Sequence, residues 1–173
     1  NGSVSVTGNG SSVTITNGNN VIIRGNGSVT VNGETYTGNN NVQLPSCGIE
    51  VRGIVGNNVT FDGDTSVELY NNAGNGLNVV AGNRFEGKAI GNNADIQAGN
   101  SIEINSAGQG SALQAGNSVD AYLINASSTV RAGNSIDVTS ALGGSYNAGN
   151  SIDIDHGNAG SLSTNAGNDV DID

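Results

Sequence analysis

Five carboxylates recur at one position of one repeated phrase. "AGNSIEI" occupies 98–104, "AGNSVDA" 115–121, "AGNSIDV" 132–138, "AGNSIDI" 148–154 and "AGNDVDI" 166–172. Glu103, Asp120, Asp137, Asp153 and Asp171 therefore each stand four residues after the phrase's glycine. Evenly spaced carboxylates point to two kinds of chemistry. Oxygen ligands from adjacent segments can share a hard cation such as Ca²⁺, and a pair of carboxyl groups can hydrolyse a glycosidic bond. The densest group is C-terminal, where Asp169, Asp171 and Asp173 alternate onto one face and Asp153 and Asp155 lie one repeat earlier. These five residues form the expected metal site, with calcium the one cofactor it implies. Neither an EF-hand loop nor the glycine-rich calcium nonapeptide is present. The competing reading is a solvated face that keeps the chain soluble and discourages sideways association.

Other reactive side chains are scarce. His156 is the only histidine, has no nucleophile constellation around it and reads as an exposed loop residue. Cys47 is the only cysteine, so an internal disulfide is ruled out; it reads as a small buried thiol, with an intermolecular bridge as the alternative. A regular convex ladder of acids is not a cleft, so the expectation is a protein that is not an enzyme.

Composition and periodicity say what must carry these residues. The chain has 173 residues, with 28 Gly and 29 Asn, 3% aromatic residues and neither Trp nor Met. An ordinary globular core cannot be filled from that stock, but Val and Ile recur too regularly for disorder. The A-G-N glycines fall at 82, 99, 116, 133, 149 and 167, spaced by 17, 17, 17, 16 and 18. A weaker series runs through Gly74, Gly91, Gly108, Gly143 and Gly160. Each unit thus has two corners, each followed by a short alternating strand. The fold class expected is all-β: a parallel β-solenoid (β-helix) of ~17-residue two-strand coils, stacked at roughly 4.8 Å. Gly at a corner supplies positive φ without steric penalty. Asn tolerates that region too, and its amide can bond to its equivalent one coil away. Asn83, Asn100, Asn117, Asn134, Asn150 and Asn168 are the expected internal ladder, the plainer alternative being that Asn merely forms turns.

Alternation assigns the faces. One inward column is Ile102/Val119/Ile136/Ile152/Val170, and a second is Ile104/Ala121/Val138/Ile154/Ile172. The opposite wall is Ile96, Leu113, Val130, Tyr146 and Thr164. Residues 1–45 are strand-rich but irregular, either imperfect coils or a hairpin-rich cap. "VNGETY" (31–36) is their best hairpin candidate. The expected division is therefore an N-terminal part over 1–45 and a repetitive solenoid over 46–173, with the break near Pro45.

Charge narrows the partners. The net charge is −10, of which residues 1–90 carry −2 and residues 91–173 carry −8. Five scattered cations make a poor binder of nucleic acid or anionic membrane. No apolar run approaches the ~20 residues of a membrane span. With no initiating Met and no signal-like segment, the expectation is a mature or trimmed product.

The A-G-N-[SD]-[IV]-[DE]-[IV] phrase resembles the repeats of bacterial filamentous-haemagglutinin-type adhesins over residues 73–173. A weaker likeness links "ALQAGNS" (112–118) to curli-like fibre subunits. Bactofilin-like cytoskeletal solenoids share the coil length but not the phrase. The haemagglutinin resemblance implies a right-handed β-helix, and all three imply structural polymers or surface fibres. The coil here is shorter than the usual haemagglutinin-type repeat, and its secretion-domain motifs are not evident.

The repeat is still in phase at "AGNDVDID", and "NGSVSV" at the other end has the spacing of "GNSIDI". Ser3, Val4, Ser5 and Val6 are thus expected to extend the ladder formed by Asp169, Val170, Asp171 and Ile172 of another copy. That gives a head-to-tail, non-closing self-assembly. The function expected is an extracellular structural protein: the secreted subunit or shaft of a cell-surface filament or adhesin. Its partners would be itself and a host or matrix surface, without nucleic acid or membrane insertion. The alternative is an ice-binding or calcium-binding solenoid module, although the outward columns lack the in-register Thr ladder that ice recognition favours.

Overall fold

A computed structural model describes the backbone of residues 3–7, 12–17, 20–24, 28–31, 34–37, 40–43, 48–52, 55–63, 65–158 and 161–173. Side chains are described at 49, 51, 55–63, 65–158 and 161–173. The chain is a β-solenoid built from two stacked, mainly parallel sheets. No helix among the described residues is long and apolar enough to cross a membrane.

Each coil gives one strand to each sheet. Sheet 1 contains β8 (Val59–Gly63), β10 (Asn78–Ala81), β12 (Asp95–Ala98), β14 (Ala112–Ala115), β16 (Ser128–Ala132), β18 (Gly144–Ala148) and β20 (Leu162–Ala166). Sheet 2 contains β7 (Gly48–Arg52), β9 (Ser66–Leu69), β11 (Arg84–Ile90), β13 (Ser101–Ala107), β15 (Ser118–Ile124), β17 (Ser135–Ala141), β19 (Ser151–Gly157) and β21 (Asp169–Ile172). Successive members pair parallel, with Ile102 beside Val119, Val119 beside Ile136, and Ile136 beside Ile152. Positions about one repeat apart are therefore vertical neighbours.

The predicted inward columns are the core. Ile102, Val119, Ile136 and Ile152 are buried, as are Ile104, Ala121, Val138 and Ile154. Across the coil stand Ile96, Leu113, Val130 and Tyr146, also buried. In the last coil burial weakens: Thr164 and Ile172 are half-buried and Val170 is 41% exposed. Small residues are compensated by neighbours. Gly87 shares a column with Ile104, and the ring of Phe85 fills the space a side chain would take there. Burying these aliphatic rows contributes about 1.5–3 kcal/mol per large side chain.

The coil is not simply two-sided. In β13, β15, β17 and their neighbours alternation breaks once, leaving two consecutive outward positions such as Asn105 and Ser106. Pairing skips Asn105 and resumes at Ser106 and Ala107. The strand bends there, giving a third, short wall that buries Ile90, Ala107, Ile124 and Ala141. A pure period-two reading hides this wall, because the break adds only one extra outward residue per coil.

The N-terminal strands extend the same two sheets. They are β1 (Ser3–Thr7), β2 (Ser12–Asn17), β3 (Asn20–Arg24), β4 (Ser28–Val31), β5 (Glu34–Thr37) and β6 (Asn40–Gln43). β1 pairs antiparallel with β8, and β2 antiparallel with β7. β3 then adds parallel to β1, and β4 parallel to β2. The β4–β5 pair is the expected hairpin, with Val31 opposite Glu34; its turn, like Cys47 and the Pro45 boundary, lies outside the described residues. This part is thus coil-like and hairpin-closed at once.

Candidate functional site: two corners and an acidic column

The A-G-N corner is a place of close backbone approach. A Cβ added at Gly99, Gly116, Gly133, Gly149 or Gly167 would overlap the carbonyl oxygen of the glycine one coil earlier. None of these glycines has positive φ, so the expected reason for glycine at this corner is corrected: it is stacking distance. The ladder of Asn83, Asn100, Asn117, Asn134, Asn150 and Asn168 is likewise external, since all are exposed except the half-buried Asn150. What repeats is backbone. Asn100 N–H donates to the carbonyl of Asn83 (2.7 Å), Asn117 to Asn100 (2.8 Å), Asn134 to Asn117 (2.8 Å), Asn150 to Asn134 (2.8 Å) and Asn168 to Asn150 (2.9 Å). The same carbonyls also accept from the next residue, as from Ser101 to Asn83 (3.1 Å). Between side chains, the Nδ2 of Asn168 donates to Oδ1 of Asn150.

The other corner holds the positive φ. Asn58 (57°), Gly76 (68°), Asn93 (56°), Gly110 (71°) and Ser127 (60°) occupy the left-handed region in five successive coils. The residues before the first three of these, Asn57, Asn75 and Asn92, form a carboxamide ladder that the spacing of the A-G-N phrase does not reveal. Asn57 Oδ1 accepts from Asn75 N–H (2.8 Å), Asn75 Oδ1 from Asn92 N–H (2.8 Å), and Asn92 Oδ1 from Gln109 N–H (2.9 Å). The signal available was the recurring Asn-Asn and Asn-Gly pairs at 57–58, 75–76 and 92–93.

The acidic column exists and is longer than the repeated phrase suggested. Backbone register runs Glu50, Glu68, Glu86, Glu103, Asp120, Asp137, Asp153 and Asp171 along sheet 2. Glu86 also follows an A-G-N glycine, Gly82, by four residues, whereas Glu50 and Glu68 precede the regular phrases. Like charges on adjacent strands oppose pairing, by roughly 1 kcal/mol per exposed neighbour pair. Near its start Arg84 relieves this, its guanidinium lying 2.9 Å from Glu86 and 2.5 Å from Glu103. The hydrogen bond to Glu103 raises the Arg84 pKa, with burial opposing and Glu86 adding to it. Further along, desolvation and the charges of Asp120 and Asp155 hold the Asp137 carboxyl above the ordinary range. Asp153 is held up by desolvation and by Asp137, Asp155, Asp171 and Asp173.

The expected metal site is in register but not convergent. Asp153 and Asp171 sit side by side on β19 and β21, with Asp169 beside Ser151. Among the described residues no group of three or more His, Cys, Asp or Glu side chains could hold a metal ion. In parallel strands the carboxylates point outward side by side; they do not turn toward a common centre. Asp155 and Asp173 are exposed, and so is His156, which pairs in register with Ser140.

The assembly residues also need correction. β1 lies between β3 and β8, so Ser3, Val4, Ser5 and Val6 belong to an interior strand. The sheet edges at that end are β6 and β5. Asp169, Val170, Asp171 and Ile172 do form an edge, since β21 ends sheet 2. No family model, curated protein or solved structure matches the chain.

Proposed function

We propose that the chain is an extracellular structural protein, the shaft or subunit of a β-solenoid surface filament or adhesin. The observation that carries this reading is the unbroken stack from β7 and β8 to β21 and β20, in which both corners repeat their hydrogen bonds from coil to coil. Such a stack resists bending and offers backbone edges at its ends, the properties a fibre needs. The acidic column gives one side of the shaft a dense like charge that favours end-to-end over side-to-side contact. Negative-stain electron microscopy over a concentration series tests the reading. Unbranched filaments one solenoid wide are expected; isolated particles at every concentration would reject self-assembly.

A further inference from the structure

The two sheet ends of the molecule differ in sequence, yet their strands run in the same direction. In sheet 1, β1 is antiparallel to β8, β3 follows β1, and β6 is antiparallel to β3. Two reversals cancel, so β6 runs as β8 and β20 do. In sheet 2, β2 opposes β7, β4 follows β2, and β5 opposes β4. Again two reversals cancel, and β5 runs as β21 does. The chain also passes from β5 in sheet 2 to β6 in sheet 1, the order in which β19 leads to β20, although two residues intervene in the first case and four in the second.

We propose that the β5–β6 edge of one copy docks on the β20–β21 edge of a second copy, β6 beside β20 and β5 beside β21, both parallel. This rests on the self-assembly reading and names its junction. The end coil is suited to such a partner. Val170 is 41% exposed, whereas Ile152, its column neighbour, is 1% exposed. Leu162, Ala166 and Ile172 are only partly buried against the core. A coil laid over them would complete rows that are dry elsewhere. The docking segments "ETYT" and "NNVQ" carry one acid between them, so they add little charge opposite Asp169 and Asp171. The contact is heterologous and does not close on itself, which yields a filament.

Backbone alternation marks residues that can be blocked without breaking internal ladders. Asp169 and Asp173 donate their N–H groups to the preceding coil, at Asn150 and Ile154, so the N–H of Val170 lies on the open side. Val31 and Glu34 flank a two-residue hairpin turn, which leaves the N–H of Thr35 on the open side of β5. The experiment uses the 173-residue chain carrying Val170→Pro or Thr35→Pro, with Val170→Lys and Thr35→Lys as edge-protecting variants that keep the N–H. Circular dichroism checks folding, and sedimentation velocity and electron microscopy read assembly. Each variant alone should stay monomeric where the unsubstituted chain forms filaments, and an equimolar mixture of the two kinds should give a discrete dimer. Filaments from either blocked chain, or a mixture that stays monomeric, would overturn the junction while leaving self-assembly standing. Monomers from the unsubstituted chain would reject both.

Discussion

Two glycine-bearing corners look alike in sequence but obey different physics. At Gly116 the nearest neighbour of an added Cβ is the backbone of Gly99, which cannot move aside. Gly116→Ala is therefore expected to cost about 2–4 kcal/mol, read by urea denaturation, since overpacking against a rigid neighbour shifts a whole coil. At Asn93 the demand is a positive φ of 56°. Asn93→Gly should change stability by less than about 1 kcal/mol and Asn93→Val should lose about 1–2 kcal/mol, because β-branched residues resist the left-handed region. Equal costs for the Gly and Val substitutions would contradict this assignment. The positions of both corners were legible in the spacing. Their reasons were not, because a one-letter repeat does not distinguish a glycine needed for φ from one needed for a 4.8 Å stacking distance. For the same cause the Asn57–Asn75–Asn92 ladder was missed: its members sit in dipeptides that vary from coil to coil.

Strands and columns carry the energetics. Ile136 lies mid-shaft, 1% exposed between Val119 and Ile152. Ile136→Ala should cost about 2–5 kcal/mol, as for other buried aliphatic truncations. The acidic column acts in the opposite sense. Asp137 and Asp153 have folded-state pKa values raised above their ordinary range, first by desolvation and then by neighbouring carboxylates. The folded state thus binds protons more tightly than the unfolded one. Stability is fully regained below the unfolded carboxylate value, about pH 3.9, and is lost as pH rises through the folded value. The melting temperature should rise between neutral pH and about pH 4, and added salt should raise it at pH 7 by screening. Asp137→Asn with Asp153→Asn should flatten the pH dependence; a melting temperature that instead falls on acidification would show that the column is not the controlling repulsion. Strand alternation and the acidic slot were legible because both follow the seven-residue phrase. The bend after Ile104 was not, since it appears only when outward Asn105 and Ser106 are compared in register with the next coil.

At the level of the molecule, the solenoid expected over 46–173 takes in β7 and β8, and the parallel stack runs from these strands to β21 and β20. Apart from the β4–β5 hairpin, the pairing of the N-terminal strands was not legible, because each keeps strand-like alternation whichever way it runs and direction is invisible in composition. Their two reversals change which strands form the edge and move the proposed docking surface from β1 to β5 and β6. The account's central claim is that equivalent residues rise along one axis by one strand spacing per coil. Pulsed electron resonance on spin-label pairs anchored at Glu103, with Cys47 replaced by Ser, measures that rise directly. Partners at Asp153 and Asp171 lie three and four strands away in the column. Their backbone separations should therefore be about 14 and 19 Å, an increment of about 5 Å per coil. Distances that are broad, or that do not grow with the number of coils crossed, would contradict it.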